Sequence, residues 1–334
     1  MDMRQLKYFA RIVESGSLSK ASRQLFIAQP SLSQQMARLE EEVGKPLLVR
    51  STRGVLPTAN GEALYHHAKL MLRQLDEAVI IARQESTDIQ GRVVVGMVPS
   101  TEYMVALPLL QEFKEKYPRL VLNVISARLL QLEDMVRRSE LDVAILSSQM
   151  VSTEMTSEPL LDERVFVIVP RGSPLVPRGR ASLTLAEVAA LPMVLSSPHN
   201  HLRRRFMAEL ERAKLTLNLA AEVDSLPLTM RFVAEGGGAT LQTMAATHIL
   251  TPRRGWRCVP IADVLLERPN YLYALPAGKL SKSGALVCAG LRSIVRGLVE
   301  SGAWSEVRLA QAHRPPGNAD DNRRTGTSRR AGRQ

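Results

Sequence analysis

Cysteine is scarce in this sequence of 334 residues, and its scarcity excludes whole classes of protein. The two cysteines, Cys258 and Cys288, are too few for a disulfide framework and lack the clustering of a zinc site. Isolated cysteines of this kind are ordinarily reduced thiols in a cytosolic protein. The sequence therefore predicts no disulfide, no bound metal and no cofactor.

Long apolar runs are also missing. No stretch approaches the roughly 18 uncharged apolar residues that a membrane-spanning helix needs. The amino terminus, MDMRQLKYFARIVESG, carries charges through its apolar positions, which argues against a secretion signal. Aromatic residues make up 4% of the chain, so the core of this 45% apolar sequence is expected to be Leu, Val, Ile and Ala. We predict a cytoplasmic protein without membrane contact.

Recognisable catalytic patterns are absent as well. The sequence holds no G-x-S-x-G, P-loop, H-E-x-x-H or Cys–His signature. The glycines at 236–238 do not follow a strand, as a dinucleotide fingerprint would. An α/β enzyme with an appended helical domain therefore stays open only as the weaker alternative. A secreted solute-binding protein would leave residues 1–87 unexplained.

Positive charge is what the chain has in excess. The formal net charge is +11, which favours a polyanion such as nucleic acid as the partner. Residues 1–57 hold nine Lys or Arg against five acidic residues, and residues 306–334 hold seven Arg against three. Both ends of the chain are therefore basic.

The first 44 residues predict three short helices. Residues 3–14 have helical periodicity, and Ser17 suits the cap of a second helix. Pro30 suits the first position of a third helix, which Gly44 ends. Short helices joined by tight turns are typical of a helix-turn-helix unit. The apolar positions that define them are Leu6, Phe9, Val13, Leu18, Ala21, Leu25, Leu32, Met36, Leu39 and Val43.

Two further elements follow this unit. The run KPLLVRSTRGVLPT (45–58) predicts a hairpin, or wing, tipped by Arg50 and Arg53. Residues 58–87 predict one long helix, capped by Thr58, with a seam close to the coiled-coil repeat. Because this seam has little in its own segment to pack on, we expect a partner helix from a second subunit. The seam consists of Leu64, Ala68, Met71, Leu75, Val79 and Ala82.

From Gly91 onward, strand-length apolar runs alternate with helical stretches. Examples are RVVVGMV (92–98), LDVAIL (141–146) and RVFVIVP (164–170). This alternation predicts an α/β architecture with largely parallel sheets, and its length allows two subdomains. After Trp304 the chain is basic and poor in apolar residues, which predicts a disordered tail.

The third helix has a polar face that suits DNA. Gln34, Gln35 and Arg38 project away from the apolar stripe, and such side chains pair with base edges in the major groove. In helix-turn-helix docking, the amino-terminal part of the second helix of the motif enters that groove. The three glutamates 40–42 lie two turns further on. We expect that end either to tilt away from phosphate or to pair with Lys or Arg of the wing.

The order of these elements resembles the LysR-type transcriptional regulators. The resemblance is densest over LKYFARIVESGSLSKASRQLFIAQPSLSQQMARLEEEVGKPLLVRSTRGVLPTANGEAL (6–64) and continues through LDVAIL and AEGGGATL (234–241). The segments IAQPSLSQQ and RGVLPT are similar in sequence to members of the nitrogen-assimilation-control branch. The resemblance implies double-stranded promoter DNA, a small-molecule effector, RNA polymerase and further copies of the chain as partners, in dimers and tetramers.

The fold implied is an all-α winged helix-turn-helix and a long linker helix, followed by an α/β effector domain of two subdomains, built like a periplasmic binding protein. The predicted units are a DNA-binding domain at 1–58, a dimerisation helix at 59–88, an effector domain at 89–303 and a disordered basic tail at 304–334. The predicted DNA-binding residues are Gln29, Pro30, Ser31, Ser33, Gln34, Gln35, Arg38, Arg50 and Arg53.

Four strand-to-helix turns supply the predicted effector site. Such turns are where ligands usually bind in α/β domains, and helix starts attract carboxylates. We expect a small ligand, anionic in character, held by hydroxyl groups and helix N-termini with few charged side chains. The predicted residues are Ser100, Thr101, Ser196, Asn200, Ser225 and Gln242.

Three positions depart from the family pattern. Ala28 and Ser22 replace residues that many members have as Ser and Ala, and Ala28 removes one hydroxyl that could contact DNA backbone. Leu129 stands where many members place a serine in the effector cleft. The loss of that hydroxyl keeps a second alternative open, in which the protein acts without any ligand.

Overall fold

The computed structural model describes residues 1–51, 54–83, 89–150, 152, 155–250, 255–276 and 278–310. Within 59–83, only the backbone is described at positions 73, 76, 77 and 80–83. The first elements are helices α1 (Met3–Ser15), α2 (Leu18–Leu25) and α3 (Gln29–Val43), strands β1 (Leu48–Ser51) and β2 (Gly54–Pro57), and helix α4 (Ala59–Arg83).

Local chemistry sets the ends of the first three helices. The Ser17 hydroxyl accepts the Lys20 amide at the start of α2, as the sequence predicts, and Pro30 lies in the first turn of α3. Gly16 and Gly44 end α1 and α3 in the left-handed conformation. The helices and wing share one core, formed by Phe9, Ile12, Leu18, Ala21, Leu32, Met36, Leu39, Leu47 and Val55.

The first turns of helix α4 pack against the wing, and its later turns extend away from it. Thr58 caps it through a 3.0 Å bond from the Gly61 amide, and Gly61 is needed because a Cβ there would lie 1.9 Å from the Leu47 carbonyl oxygen. Ala68 is buried, whereas Leu75 and Val79 are 46% and 41% exposed. The far half of the seam therefore has little to pack on within one chain; the Ala82 side chain lies outside the described residues.

The remaining elements form the α/β region. Its strands are β3 (Gly91–Met97), β4 (Leu120–Ser126), β5 (Val143–Leu146), β6 (Thr156–Pro170), β7 (Met193–Leu195), β8 (Leu219–Glu222), β9 (Thr240–Thr243), β10 (Trp256–Val259), β11 (Glu267–Ala274) and β12 (Val307–Leu309). Its helices are α5 (Pro99–Lys116), α6 (Leu129–Arg137), α7 (Leu185–Ala190), α8 (His201–Arg212), α9 (Leu226–Ala234) and α10 (Lys282–Glu300), with a 3-10 helix at Met244–His248.

Two subdomains share the long strand β6. One core gathers β3, β4, β5, α5 and α10, and a separate core gathers β7, α7, α8 and the second half of β6. The main sheet runs β10-β6-β11-β5-β3-β4, and β7 and β8 form a separate pair. The predicted two-subdomain α/β class is confirmed.

The prediction of largely parallel sheets was wrong. Only β3–β4, β3–β5 and β7–β8 are parallel among the paired strands described, while β6 pairs antiparallel with β9, β10, β11 and β12. Strands β6 and β11 both pair antiparallel with every neighbour described, and these pairings outnumber the parallel ones.

The predicted start of the tail at Trp304 was also wrong. The Trp304 side chain is 1% exposed, and its indole Nε1 donates to Glu163 at 3.1 Å. Strand β12 then pairs with β6 through Leu161, Asp162 and Glu163. A three-residue edge strand carries too little apolar periodicity to show in sequence, because β6 supplies its hydrogen bonds. Residues 311–334 of the predicted tail lie outside the described residues.

Candidate DNA-reading surface and effector cleft

The start of α3 presents an exposed polar surface. Its cap residue Ala28 makes no side-chain hydrogen bond to the helix, so the first amides are left for another acceptor. In the carboxyl-terminal half of α3, Met36 and Leu39 are buried, whereas Arg38, Glu41 and Glu42 are exposed. Among the residues predicted to read DNA, those exposed to solvent are Gln29, Pro30, Ser31, Gln34, Arg38 and Arg50.

Two predicted residues, Ser33 and Arg50, contact each other. The Arg50 guanidinium donates to the Ser33 hydroxyl at 3.0 Å, which joins the wing to α3. Ser33 itself is half-buried. Arg53, predicted at the wing tip, lies outside the described residues.

Gln35 faces α1 and not only solvent. Its side-chain oxygen accepts a 3.4 Å hydrogen bond from the amide of the buried Gln5. Gln34, one position earlier, is exposed. The structure therefore distinguishes the two glutamines, which sequence periodicity alone placed on the same polar face.

The acidic end of α3 has a structural role. The Glu40 carboxylate accepts the backbone amides of Leu47 and Leu48 at 2.7 and 3.0 Å, at the start of the wing. Glu42 pairs with the amino terminus of Met1. Of the two expected alternatives, pairing with Lys or Arg of the wing is not seen for Glu40 or Glu42 within the described residues, where backbone N–H groups and the amino terminus take that place. Glu41 is exposed.

A cavity of about 500 Å³ lies between the two subdomains of the α/β region. Turns from both subdomains line it, so the structure brings together residues that are up to 171 positions apart, from Val98 to Pro269. Four of the six predicted effector residues are in its wall, namely Ser100, Ser196, Asn200 and Gln242. Leu129 also lines it, at the position where the resemblance leads one to expect a serine.

Thr101 and Ser225 do not line the cavity wall. Thr101 is completely buried in the first turn of α5, and its hydroxyl has no hydrogen-bond partner among the described residues. Ser225 is exposed and caps α9 through the Leu228 amide. Asn200 does line the wall, although its side-chain oxygen also caps α8 through Arg203.

Four arginines lie in the wall, none of which the sequence analysis named as an effector-binding residue. The Arg203 guanidinium donates to the Ser196 carbonyl at 2.6 Å and pairs with Glu222. Its Nε atom and the buried Thr240 hydroxyl have no hydrogen-bond partner in the described part of the chain. Arginines rarely stand out in single sequences, so no motif indicated them. The arginines lining the cavity are Arg128, Arg203, Arg205 and Arg268.

One ion pair joins the two walls of the cleft. Arg128, before α6, contacts Asp224, after β8, at 3.0 Å. The second Asp224 oxygen accepts the Ser197 amide at 2.9 Å. The Ser197 amide first, and then Arg128, lower the pKa of the Asp224 carboxyl, so it is charged at neutral pH. Arg128 lies in the strand-to-helix turn between β4 and α6, so the rule used to choose the other effector residues could have found it.

Two thiols and one imidazole of the α/β region also have shifted pKa values. Burial raises the pKa of both Cys258 and Cys288 to about 11, which keeps the thiols protonated. Burial and Arg204 lower the pKa of His201 in the cavity wall. Across the described ranges, no three His, Cys, Asp or Glu side chains are grouped to hold a metal ion.

None of the helices in the described part of the chain is both long and apolar enough to cross a bilayer. A winged helix-turn-helix followed by a two-lobed α/β unit with a cavity between the lobes defines a class of ligand-controlled, DNA-binding regulators. Two family models match: "Bacterial regulatory helix-turn-helix protein, lysR family" at residues 3–62 and "LysR substrate binding domain" at residues 86–292. The chain therefore belongs to the LysR family of transcriptional regulators, which are not enzymes.

Known proteins show the same relationship. The nitrogen assimilation regulatory protein nac of Klebsiella aerogenes is 33% identical over 258 residues, covering 77% of this chain and 83% of that regulator. The protein of the same name from Escherichia coli is 32% identical. A full-length OxyR variant from Pseudomonas aeruginosa has a TM-score of 0.72 at 19% identity, covering 94% and 99% of the two chains. The structure of full-length BenM has a TM-score of 0.53 at 23% identity, covering 92% of this chain and 99% of BenM. These two structures show the fold alone.

Proposed function

We propose that this LysR-family regulator reads operator DNA with the exposed start of α3 and responds to a small anion bound between its two subdomains. Residues 1–58, 59–88 and 89–303 then serve as DNA-binding, dimerisation and effector units. A cytoplasmic location is part of this proposal, since the DNA is there. The observation that carries it is a cavity lined by four arginines, in whose lining residues Arg203 and Thr240 two polar groups have no hydrogen-bond partner among the described residues.

Base reading is assigned to the exposed side chains of α3. Gln34 and Arg38 have the donor and acceptor geometry that suits adenine and guanine edges. Gln29, Pro30 and Ser31 lie at the helix start, where amides and the helix dipole favour phosphate. Arg50 contacts the DNA backbone beside the groove, and Arg53 of the wing is predicted to do the same.

The minimal assembly is a dimer through α4. Leu75 and Val79 leave an apolar stripe exposed on a helix that has left its own domain, and a second α4 would cover it. Two DNA-binding units would then meet two half-sites, so operators should be pseudo-palindromic. Tetramers and contact with RNA polymerase are further parts of the proposal.

The charges of the cleft support an anionic effector. Arg203 is held by Glu222 and a carbonyl, yet its Nε–H has no partner among the described residues, and the same is true of the buried Thr240 hydroxyl. A carboxylate would satisfy both donors, and unsatisfied buried donors are costly. A ligand alters transcription only if it binds one arrangement of the subunits better than another.

Thermal shift of the full-length protein with a panel of small carboxylates tests this assignment. A bound carboxylate should raise the melting temperature of the wild type, and Thr240→Val should abolish the shift. Ser225→Ala, outside the cavity wall, is the matched control and should leave the shift intact. A shift that survives Thr240→Val would place the ligand elsewhere.

A regulator that needs no ligand is the second candidate. Leu129 lines the cleft where a hydroxyl was expected, and the chain is 33% identical to a nitrogen assimilation regulatory protein. In that case the cellular amount of the protein would set its activity. Full operator binding with no carboxylate shift across the panel would favour this candidate over the anion-controlled one.

A further inference from the structure

Phe26 is an exposed aromatic side chain beside the DNA-reading helix. It is 96% exposed, more than any other large apolar residue in the described part of the chain. It lies in the connection from α2 to α3, after Leu25 and before Gln29. Folding alone gives no reason for a phenylalanine here, because the ring buries almost no surface.

The backbone at Phe26 is also unfavourable for this residue. Its φ of 56° and ψ of 41° place it in the left-handed region, where it ends α2. A bulky side chain is disfavoured there, and Gly or Asn is the usual choice. Phe26 therefore combines two locally unfavourable properties, exposure and left-handed backbone. Such conflicts with local preference concentrate at functional sites.

The position of Phe26 indicates what the ring can contact. Three peptide units separate it from Gln29, so the two Cα atoms are at most about 11 Å apart. The major groove is about 12 Å wide, and the start of α3 enters it in helix-turn-helix docking. Ala28, Gln29 and Pro30, which follow in the chain, are exposed as well. DNA seated on α3 is therefore within reach of the ring.

We propose that Phe26 packs its ring on a thymine methyl group at the edge of the major groove and so adds sequence preference. The C5 methyl of thymine is the apolar feature of that groove, and apolar side chains recognise it by contact. This inference rests on the docking of α3 proposed above and extends it by a contact that involves neither charge nor hydrogen bonding.

The test uses the full-length protein and a duplex enriched by that protein from a random library. Phe26→Asn keeps a residue suited to the left-handed backbone, so its melting temperature should not fall. Its affinity for the duplex should drop roughly tenfold. The dependence of log K on log salt concentration should keep its slope, because no phosphate contact is lost.

Base substitution in the duplex identifies the contact. Replacing one thymine by deoxyuridine, which lacks the methyl group, should weaken the wild type and leave Phe26→Asn unaffected. Leu265→Asn, which removes another exposed apolar side chain in the α/β region, is the matched control and should bind as the wild type does. Phe26→Gly serves the same comparison if the Asn variant is unstable.

Three results would overturn the proposal: unchanged affinity of Phe26→Asn, a reduced salt slope, or no effect of any thymine replacement on the wild type. Gln34→Ala separates this failure from failure of the α3 assignment. If Gln34→Ala weakens binding and Phe26→Asn does not, α3 still reads the DNA and only the Phe26 contact is refuted.

Discussion

The guanidinium of Arg50 donates a 3.0 Å hydrogen bond to the hydroxyl of Ser33, which joins the wing to the second turn of α3. Both side chains belong to the surface assigned to DNA, so the wing and the reading helix present one continuous face. The bond leaves the remaining guanidinium donors of the exposed Arg50 available to phosphate.

Arg50→Ala should weaken binding to all DNA sequences alike. Loss of one phosphate contact lowers the slope of log K against log salt by about 0.9. Titrations of specific and random duplexes at several salt concentrations measure both effects. Arg212→Ala, an exposed arginine in α8, is the control and should change neither slope. A change in the sequence preference of the Arg50→Ala variant would contradict the assignment of Arg50 to the DNA phosphate backbone.

Gln34→Ala should act differently from Arg50→Ala. Its exposed amide is assigned to one base, so its removal should relax discrimination at that base pair by about 1–3 kcal/mol and leave the salt slope unchanged. Competition binding with duplexes that vary one position at a time gives the measurement. If Gln34→Ala weakened binding equally for every duplex, Gln34 would contact the DNA backbone and not a base.

Glu40→Ala should destabilise the DNA-binding unit. The carboxylate of Glu40 accepts two backbone amides at the start of the wing, and their loss should cost about 1–3 kcal/mol. Denaturant unfolding of the full chain, followed at the first transition, measures the change. Glu41→Ala removes an exposed neighbour of equal charge and should be close to neutral. Equal effects of the two variants would refute a structural role for Glu40.

Replacing Leu75 and Val79 together by Lys should convert the protein to monomers. Both side chains are exposed on α4, so the charges are tolerated within one chain but not between two apolar stripes. Sedimentation velocity reports the mass, and operator binding should be lost with the dimer. The double substitution Ala59→Lys and Asn60→Lys, at exposed sites at the start of α4, is the control. A fully dimeric Leu75/Val79 variant would exclude α4 as the interface.

Two truncations should separate the folded carboxyl terminus from the remaining segment. Ending the chain after Ala310 keeps β12 and should leave the melting temperature unchanged. Ending it after Trp304 removes β12, whose Val307 and Leu309 pack on the core, and should lower the melting temperature by roughly 4–8 °C. Differential scanning calorimetry makes the comparison. Equal melting temperatures would show that β12 adds no stability.

Much of the amino-terminal unit could be predicted because local chemistry determines it. The Ser17 cap, the proline in the first turn of α3 and the glycine that ends it each act within a few residues. The same reasoning separated Gln34 and Arg38 from the apolar stripe of α3. It could not separate Gln34 from Gln35, since the difference comes from Gln5, thirty positions away.

The sequence by itself determined the helix ends, the apolar seam of α4, the α/β class and the family resemblance, because each depends on neighbouring residues or on order along the chain. Only the tertiary structure decided which polar groups meet. Glu163 binds Arg268, 105 positions on, and Trp304, 141 positions on, and no local pattern encodes such a contact. The arginine-lined cleft arises in the same way, since a cavity wall is assembled from turns whose separation in sequence carries no information about their distance in space.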